Sequence, residues 1–365
     1  MKLSRFKYAL PKELVPAYPL ETKEGTPTPD EAKLMVVHRD TGKIEHKKFK
    51  HILNYFDEGD LMVFNNTRVF PALLSGEKAD KTKADGGPAH ISVFMLRELD
   101  HNTLLWDVLV EPARKIRIGN KLFFGENEDL VADVIDNTTS RGRIIRFLFD
   151  GPYESFKQTL YKIGRTPLPG HILETRKPGE EEKDRLRYQT VFATEEGAMR
   201  APETGLHFSR EMLKKLDIKG VEQEFITLHC SLDSERSIDV EDLSKHKVDS
   251  EKILISPESA EHINMVKRSG KKVCAVGTSV VKAMESSMSV DGFINSYDGW
   301  TNKFIFPPYN VRVPNCMLSN FHSPSHQPFI MVCTFGGRDL VMKAYEEAIA
   351  KKYRFLTFGD VMLIL

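Results

Sequence analysis

Apolar and polar positions recur in different rhythms along this chain, and the changes of rhythm divide it into stretches. Near the start, LMVVHRDTGKIEHKKF (34–49) predicts two strands joined by a turn at Asp40–Gly42, HILNYF (51–56) a short polar helix, and GDLMVFNNTRVF (59–70) a further strand. From Pro71 to about Asp150 the rhythm is that of strands alone. PALLSGEK, HISVFMLREL, TLLWDVLVEP, NKLFFG, LVADVID and RGRIIRFLFD are short apolar runs separated by turn residues, with no helical period, which predicts a small barrel or sandwich. KADKTKADGGPA (78–89), between the first two, reads as a solvated loop.

From Gly151 onwards helices return. PYESFKQTLYKIG predicts a helix stopped at Gly164, and the charged PGEEEKDRLR (178–187) reads as a solvated loop. The remainder alternates: a helix over 210–218, strands VEQEFITLHC and EKILIS, helix PESAEHINMVKRSG, strand KKVCAVG and helix TSVVKAMESS. Strands KFIF and CMLSNF, two helices (PFIMVCTFGG and DLVMKAYEEAIAKKY) and a terminal DVMLIL strand follow. Such alternation indicates an α/β body. The fold expected is an α/β main domain, residues 1–70 plus 151–365, carrying an inserted all-β barrel-like domain at 71–150. Nothing local requires the first strands to rejoin the later sheet.

Composition narrows the function. A chain of 365 residues, 41% hydrophobic and 28% charged, is that of a soluble globular protein of more than one domain. Lys plus Arg equals Asp plus Glu at 52 each, so a polyanionic partner would need a local basic patch. The cysteines Cys230, Cys274, Cys316 and Cys333 form no C-x-x-C pair, which argues against thiolate zinc and against a disulfide framework. Without a signal-like or membrane-length apolar run, a cytoplasmic protein with no membrane association is expected.

The sharpest local signal is VCAVGTSVVKAMES. A strand ends at Gly277, and Thr278 and Ser279 open a helix that carries Lys282 and Glu285. Such a turn presents backbone N–H groups and hydroxyls to a carboxylate or phosphate, although no nucleotide-binding fingerprint is present; an ordinary strand-to-helix turn accounts for it equally well. In EPARKIRIGNK and RGRIIR, Arg114, Lys115, Arg117, Arg141 and Arg143 could follow a nucleic-acid backbone, or simply be solvated. Three histidines stand in similar settings, each after an apolar residue and before a loop or helix start: His207 in APETGLHFS, His229 in ITLHC and His322 in SNFHSP. No metal-ligand spacing joins them, so no metal is expected, and the inventory fits acid–base chemistry. The three imidazoles are expected to converge on one pocket at the loop ends of the α/β body, with His322 the foremost candidate base.

Nearly the whole chain resembles the S-adenosylmethionine:tRNA ribosyltransferase-isomerases of queuosine biosynthesis. The resemblance is carried, in order, by FNNTRVFPALL, LWDVLVEPARKIRIGNKLFFG, RYQTVFA, APETGLHFS, ITLHC, VEDLSKHKVDSE, AVGTSVVKAMES, DGWTNKFIFPPY, SNFHSP and YRFLTFGDVMLIL. It implies a transferase and isomerase that moves the ribosyl part of S-adenosylmethionine onto 7-aminomethyl-7-deazaguanine at the tRNA wobble position. Adenine and methionine leave, and the product is epoxyqueuosine-tRNA. The co-substrate is S-adenosylmethionine, the partner is tRNA carrying that base, and no prosthetic group is implied; a monomer is expected. For that donor, Thr204, Gly277, Thr278, Ser279 and Glu285 are the expected contacts, with Trp300 or Phe321 as an aromatic face for the sulfonium; the resemblance accounts for the presence of these residues and the chemistry for their roles. For the acceptor, Arg68, Arg114, Lys115, Arg117, Arg141, Arg143 and Lys282 are the expected contacts, a reading of these residues rather than of the resemblance. The sulfonium acidifies the ribose C5′ proton, so a base such as His322, His229 or His207 is called for.

The chain departs from the family's usual text at several loops. Asn66 replaces an Asp, Leu73 an Arg, Glu203 and Thr204 stand in APETGLHF, Lys282 replaces an Arg, and SPSHQP (Ser323 to Pro328) replaces a different run. CSLDSER lacks two glycines, so Ser231 and Asp233 are expected to carry backbone strain if those positions need positive φ. A divergent relative that binds RNA or an adenosyl ligand without catalysis, and an ordinary methyltransferase, are the alternatives. Free adenine and methionine mark the transferase, S-adenosylhomocysteine a methyltransferase, and neither product a binding module.

Overall fold

The computed structural model describes residues 1–22, 26–79, 88–139, 141–176, 179–232 and 236–365. The first strands are β1 (Lys33–Val37), β2 (Ile44–Lys48), β3 (Leu61–Asn65) and β4 (Thr67–Val69). There follow β5 (Leu73–Ala79), β6 (Pro88–Asp100), β7 (Leu105–Glu111), β8 (Lys121–Phe124), β9 (Leu130–Asn137) and β10 (Gly142–Leu148). Later strands are β11 (Glu195–Ala198), β12 (Glu222–Leu228), β13 (Glu251–Ile255), β14 (Val273–Val276), β15 (Tyr297–Thr301), β16 (Cys316–Asn320) and β17 (Val361–Ile364). The helices are α1 (Tyr153–Ile163), α2 (Gly170–Leu173), α3 (Glu181–Arg187), α4 (Arg210–Ile218), α5 (Pro257–Arg268), α6 (Thr278–Ser286), α7 (Gln327–Gly336) and α8 (Arg338–Ala350).

The chain forms two compact units, one of Met1–Arg68, Leu168–Lys177 and Arg187–Leu365, the other of Val69–Pro167 and Pro178–Leu186. The second thus takes in α1 and more chain than the stretch 71–150.

The first unit is built on a nine-stranded mixed sheet in the order β15-β13-β12-β3-β14-β16-β17-β1-β2. β3 lies parallel between β12 and β14, and β1 lies parallel to β17. The N-terminal strands therefore do rejoin the later sheet. Their apolar runs are continuous because both faces are covered, and the period of two sorts the side chains. Leu34, Val36, Met62 and Phe64 join one core with Phe49, Ile52, Phe208, Met212 and Leu216. Met35, Val37, Leu61 and Val63 join the other, with residues of α5, α6, α7 and α8.

The second unit contains a closed antiparallel barrel in the order β10-β7-β6-β5-β8-β9. Its alternation is plain in β7, where Trp106, Val108 and Val110 are buried and their neighbours are not.

Local differences from the sequence reading have local causes. The run 59–70 is broken at Asn66 into β3 and β4. Asn66 there accepts the Thr227 hydroxyl at 2.7 Å and donates to Thr194 Oγ1 at 3.0 Å. HILNYF belongs to a 3-10 helix, Phe49–Tyr55. The stretch read as a solvated loop coils into α3, in keeping with its run of strong helix formers. KFIF is not a strand; pairing with β13 falls instead on β15, just upstream. Asp233 and residues 80–87 of the expected loop lie outside the described residues.

Candidate active site

The parallel strands β12, β3, β14 and β16 end on the same edge of the sheet, where ligands of open α/β sheets bind. The chain after each carries polar groups. Asn65, closing β3, is buried and ties this edge together: its amide donates to Leu228 O at 2.9 Å and Ser279 Oγ at 3.1 Å, and its carbonyl accepts from Leu228 N at 3.1 Å. After β14 the backbone turns at Gly277 with φ +97°, a conformation side chains rarely adopt, and its N–H is held by Leu318 O at 2.8 Å. The following helix α6 then starts with Thr278 and Ser279 at the edge.

An open cavity lies against this turn. Gly277, Thr278, Ser279 and Lys282 form one wall, and Glu203 and Thr204, from the 3-10 turn Glu203–His207, form another. Leu228 ends β12 and Cys230 lies just beyond it, His322 follows β16, and Pro328 and Met331 on α7 add apolar surface. Lys282 Nζ lies 2.7 Å from Glu251 Oε2, with both side chains only 8% exposed. Glu251 Oε1 also accepts the Ser231 N–H at 2.8 Å. Burial, reinforced by Glu251, pushes the Cys230 thiol up to about 12, so it is no nucleophile at neutral pH.

A second cavity shares Arg200, Glu203, His322 and Pro328 with the first. Glu203 receives Arg200 at 2.7 Å, Tyr188 OH at 3.3 Å and the Thr357 hydroxyl. Burial alone would raise its pKa, but Arg200 and Thr357 outweigh it and the carboxyl sits below its ordinary range. His322 is fixed at the junction: Tyr345 OH accepts its N–H at 3.1 Å, Tyr8 OH donates to its carbonyl, and its Nε2 lies 2.7 Å from Ser319 Oγ. Burial, then Arg200 and His326, outweigh the pull of Glu203 and lower its pKa to about 3, so the imidazole is neutral at pH 7.

The three histidines do not converge. His207 lies on the opposite face of the sheet, its ring packed against Phe49 at 5.4 Å and hydrogen-bonded to the Pro29 carbonyl. Burial, before any helix-end effect, lowers its pKa to about 3. His229 Nδ1 lies 2.7 Å from Thr67 Oγ1, and its ring covers Gly197. Neither histidine lines either cavity. The apolar neighbours of each are real core residues, but the face a histidine takes depends on where its strand or turn ends.

Of the residues named for the donor, Thr204, Gly277, Thr278 and Ser279 line the first cavity. Glu285 does not: buried, it accepts the N–H groups of Arg312 and Val313 at 2.9 and 2.7 Å and Tyr309 OH at 2.7 Å, holding a loop in place. Phe321 is fully buried against Tyr345 and Tyr353. Trp300 is 47% exposed on β15, and neither aromatic residue belongs to a cavity wall.

Of those named for the acceptor, Lys282 lines the first cavity, while Arg68, Arg114, Lys115, Arg117 and Arg141 are exposed elsewhere. Arg143 is buried, its guanidinium donating to Ile116 O at 2.9 Å, Gly142 O at 2.8 Å and Ala113 O at 2.7 Å. It braces the loop that bears Arg114, Lys115 and Arg117 rather than facing a ligand.

Ser231 is not at positive φ, so the strain expected there is absent. Near the site, positive φ at non-glycine residues falls instead at Ser325 (61°), Leu356 (64°) and Phe358 (60°), and Leu356 lines the second cavity. Arg200, Glu251, His171 and His326 are site residues that the sequence reading does not name. Arg200, Glu251 and His326 each sit inside or beside a stretch it singles out, and that proximity is the available signal.

The chain matches the model of the queuosine biosynthesis protein family over residues 3–364. It is 55% identical to the S-adenosylmethionine:tRNA ribosyltransferase-isomerase of Bacteroides fragilis, covering 100% of this chain and 99% of that one. It is 53% identical to the protein of that name from Parabacteroides distasonis, with both chains fully covered. The crystal structure of S-adenosylmethionine tRNA ribosyltransferase from Thermotoga maritima is similar to it, with a TM-score of 0.53 at 28% identity, covering 99% of this chain and 100% of that one. With its barrel, its mixed sheet and a match that runs almost from end to end, this chain belongs to the queuosine biosynthesis protein family.

Proposed function

We propose that this protein is an S-adenosylmethionine:tRNA ribosyltransferase-isomerase, moving the ribosyl group of S-adenosylmethionine onto 7-aminomethyl-7-deazaguanine in tRNA to give epoxyqueuosine-tRNA, adenine and methionine. The observation that carries this is the match over the whole length, at 53–55% identity, to proteins of that name. The cavity at the Gly277 turn is assigned to the donor. Its backbone N–H groups and hydroxyls suit the methionine carboxylate, and Leu228, Pro328 and Met331 offer an apolar wall.

His322 is assigned as the C5′ base. It is unprotonated at neutral pH, Ser319 fixes its ring through Nε2 so that Nδ1 takes the proton, and Glu203 stabilises the imidazolium that forms. Arg114, Lys115, Arg117 and Arg141 are assigned to tRNA phosphates, with residues 71–150 acting as the inserted RNA-binding domain on a monomeric enzyme. Nothing in the site favours the binding-only or methyltransferase alternatives.

The test is product analysis with modified tRNA. Adenine and methionine should be released in equal amounts, and only when the tRNA carries the aminomethyl base. S-adenosylhomocysteine, or no turnover, would remove the assignment.

A further inference from the structure

The second cavity is walled by groups that a ribosyl donor does not call for. It gathers three imidazoles, His171, His322 and His326, around the Arg200–Glu203 pair, with Ser237 and Thr357. Among the described residues no group of three or more His, Cys, Asp or Glu side chains is placed to hold a metal ion, so the rings act as separate hydrogen-bonding groups. His326 Nε2 pairs with Ser237 Oγ at 3.0 Å. His171 Nε2 is buried and, among the described residues, has no hydrogen-bond partner, an arrangement that costs free energy unless a ligand completes it. Burial keeps both rings neutral at pH 7, His326 having a pKa of about 4 and His171 one below its ordinary value.

The cavity therefore offers imidazole lone pairs and the Glu203 carboxylate, whose Oε1 takes Arg200, Tyr188 and Thr357 while Oε2 stays available to a further donor; its one guanidinium shares its charge with that carboxylate. A phosphate would find no unshared cation here. A primary ammonium, which brings three donors and one positive charge, finds acceptors.

Building on the ribosyl-transfer reading, we propose that this second cavity receives the aminomethyl group of the acceptor base, with Glu203 binding its ammonium and His171 Nε2 taking the proton that frees the amine. In that step one N–H bond of the ammonium breaks and an Nε2–H bond forms. The electron pair stays on the amine nitrogen for the transfer, and the imidazolium returns its proton to water. The shared wall at Arg200, Glu203 and His322 is where acceptor and donor meet. The charged and titratable groups facing His171 are Glu203, Arg200, Glu174 and His326.

The experiment begins with the intact enzyme, S-adenosylmethionine and modified tRNA. Absence of adenine release there removes both the function and this assignment. Where turnover occurs, free 7-aminomethyl-7-deazaguanine and its 7-methyl analogue are compared as competitors of the tRNA. The aminomethyl compound should bind at least about tenfold tighter, the effect of a charge-assisted hydrogen bond; equal competition overturns the assignment alone.

His171→Gln, checked for a native melting temperature, should lower kcat about a hundredfold, as removal of a general base does. Its affinity for S-adenosylmethionine should stay within about twofold. Its residual rate should climb with pH toward about 10, where an alkyl ammonium loses its proton unaided. A flat pH profile, or a loss of S-adenosylmethionine affinity matching the loss of kcat, refutes the role. Should this variant fail to fold, the competitor comparison on the wild type decides the matter.

Discussion

Replacing Lys282 by Met would leave the Glu251 carboxylate buried at the donor cavity without its cation. Both side chains are 8% exposed, so water screens little of the charge. Removing one partner of a buried pair costs about 3–5 kcal/mol, because the other charge must stay desolvated or take up a proton. At about 2 °C per kcal/mol for a folding unit of this size, the melting temperature should fall by roughly 6–10 °C. The double variant Lys282→Met with Glu251→Gln removes both charges and keeps an acceptor for the Ser231 N–H, which Glu251 now holds at 2.8 Å. It should recover most of the loss, since a buried pair replaced as a whole is close to neutral in stability. Calorimetric melts of the wild type, single and double variants at neutral pH make the comparison, with adenine release measured alongside. Stability should return in the double variant while activity should not, because Lys282 and Glu251 also line the donor cavity. A double variant that melts as low as the single one, or a single variant that melts like the wild type, refutes the reasoning.

Three further outcomes are expected. The pKa of His207 and of His322 lies near 3 in the folded protein, and that of His326 near 4, against 6.5 when unfolded. Below about pH 6.5 the unfolded chain therefore binds protons that the folded chain does not, and stability should decline as pH falls toward about 3. Urea midpoints at pH 7.5 and 5 measure this, and His207→Gln should flatten the dependence while sparing kcat. Neutralising Arg114, Lys115 and Arg117 should weaken tRNA binding and reduce its salt slope by about 0.7–0.9 for each phosphate left without its cation; an unchanged slope in a filter-binding titration returns that loop to plain solvent exposure. Gly277→Ala meets nothing closer than Thr204 Oγ1 at 3.5 Å, so its cost is the φ of +97°, about 1–3 kcal/mol. Thermal melts and the KM for S-adenosylmethionine should both register it.

What depends on neighbours along the chain was legible in the sequence. The strand-only rhythm of residues 71–150 marks the barrel strands β5 to β10, because alternation of period two needs no partner to be seen. The same alternation bears on Arg143, which in β10 shares the buried face with Ile145 and Phe147 and so was never free to meet a phosphate. The turn at Gly277 was legible as well, since only a glycine readily takes that φ. What the sequence could not assign was the side of the sheet on which each polar side chain comes to rest. His207, His229 and His322 stand in nearly the same local text, yet they part company in space. His207 is turned into the core beside Phe49, His229 covers Gly197, and His322 is clamped by Tyr8 and Tyr345, residues 314 and 23 positions away in the chain. Strand order, pairing distant segments on one sheet edge, decided which histidine faces a cavity. The same long-range pairing joined Lys282 to Glu251, and brought His171 and His326 to one wall. Apolar periodicity chooses a face for each element, but only the packing of all the elements together sets which faces meet.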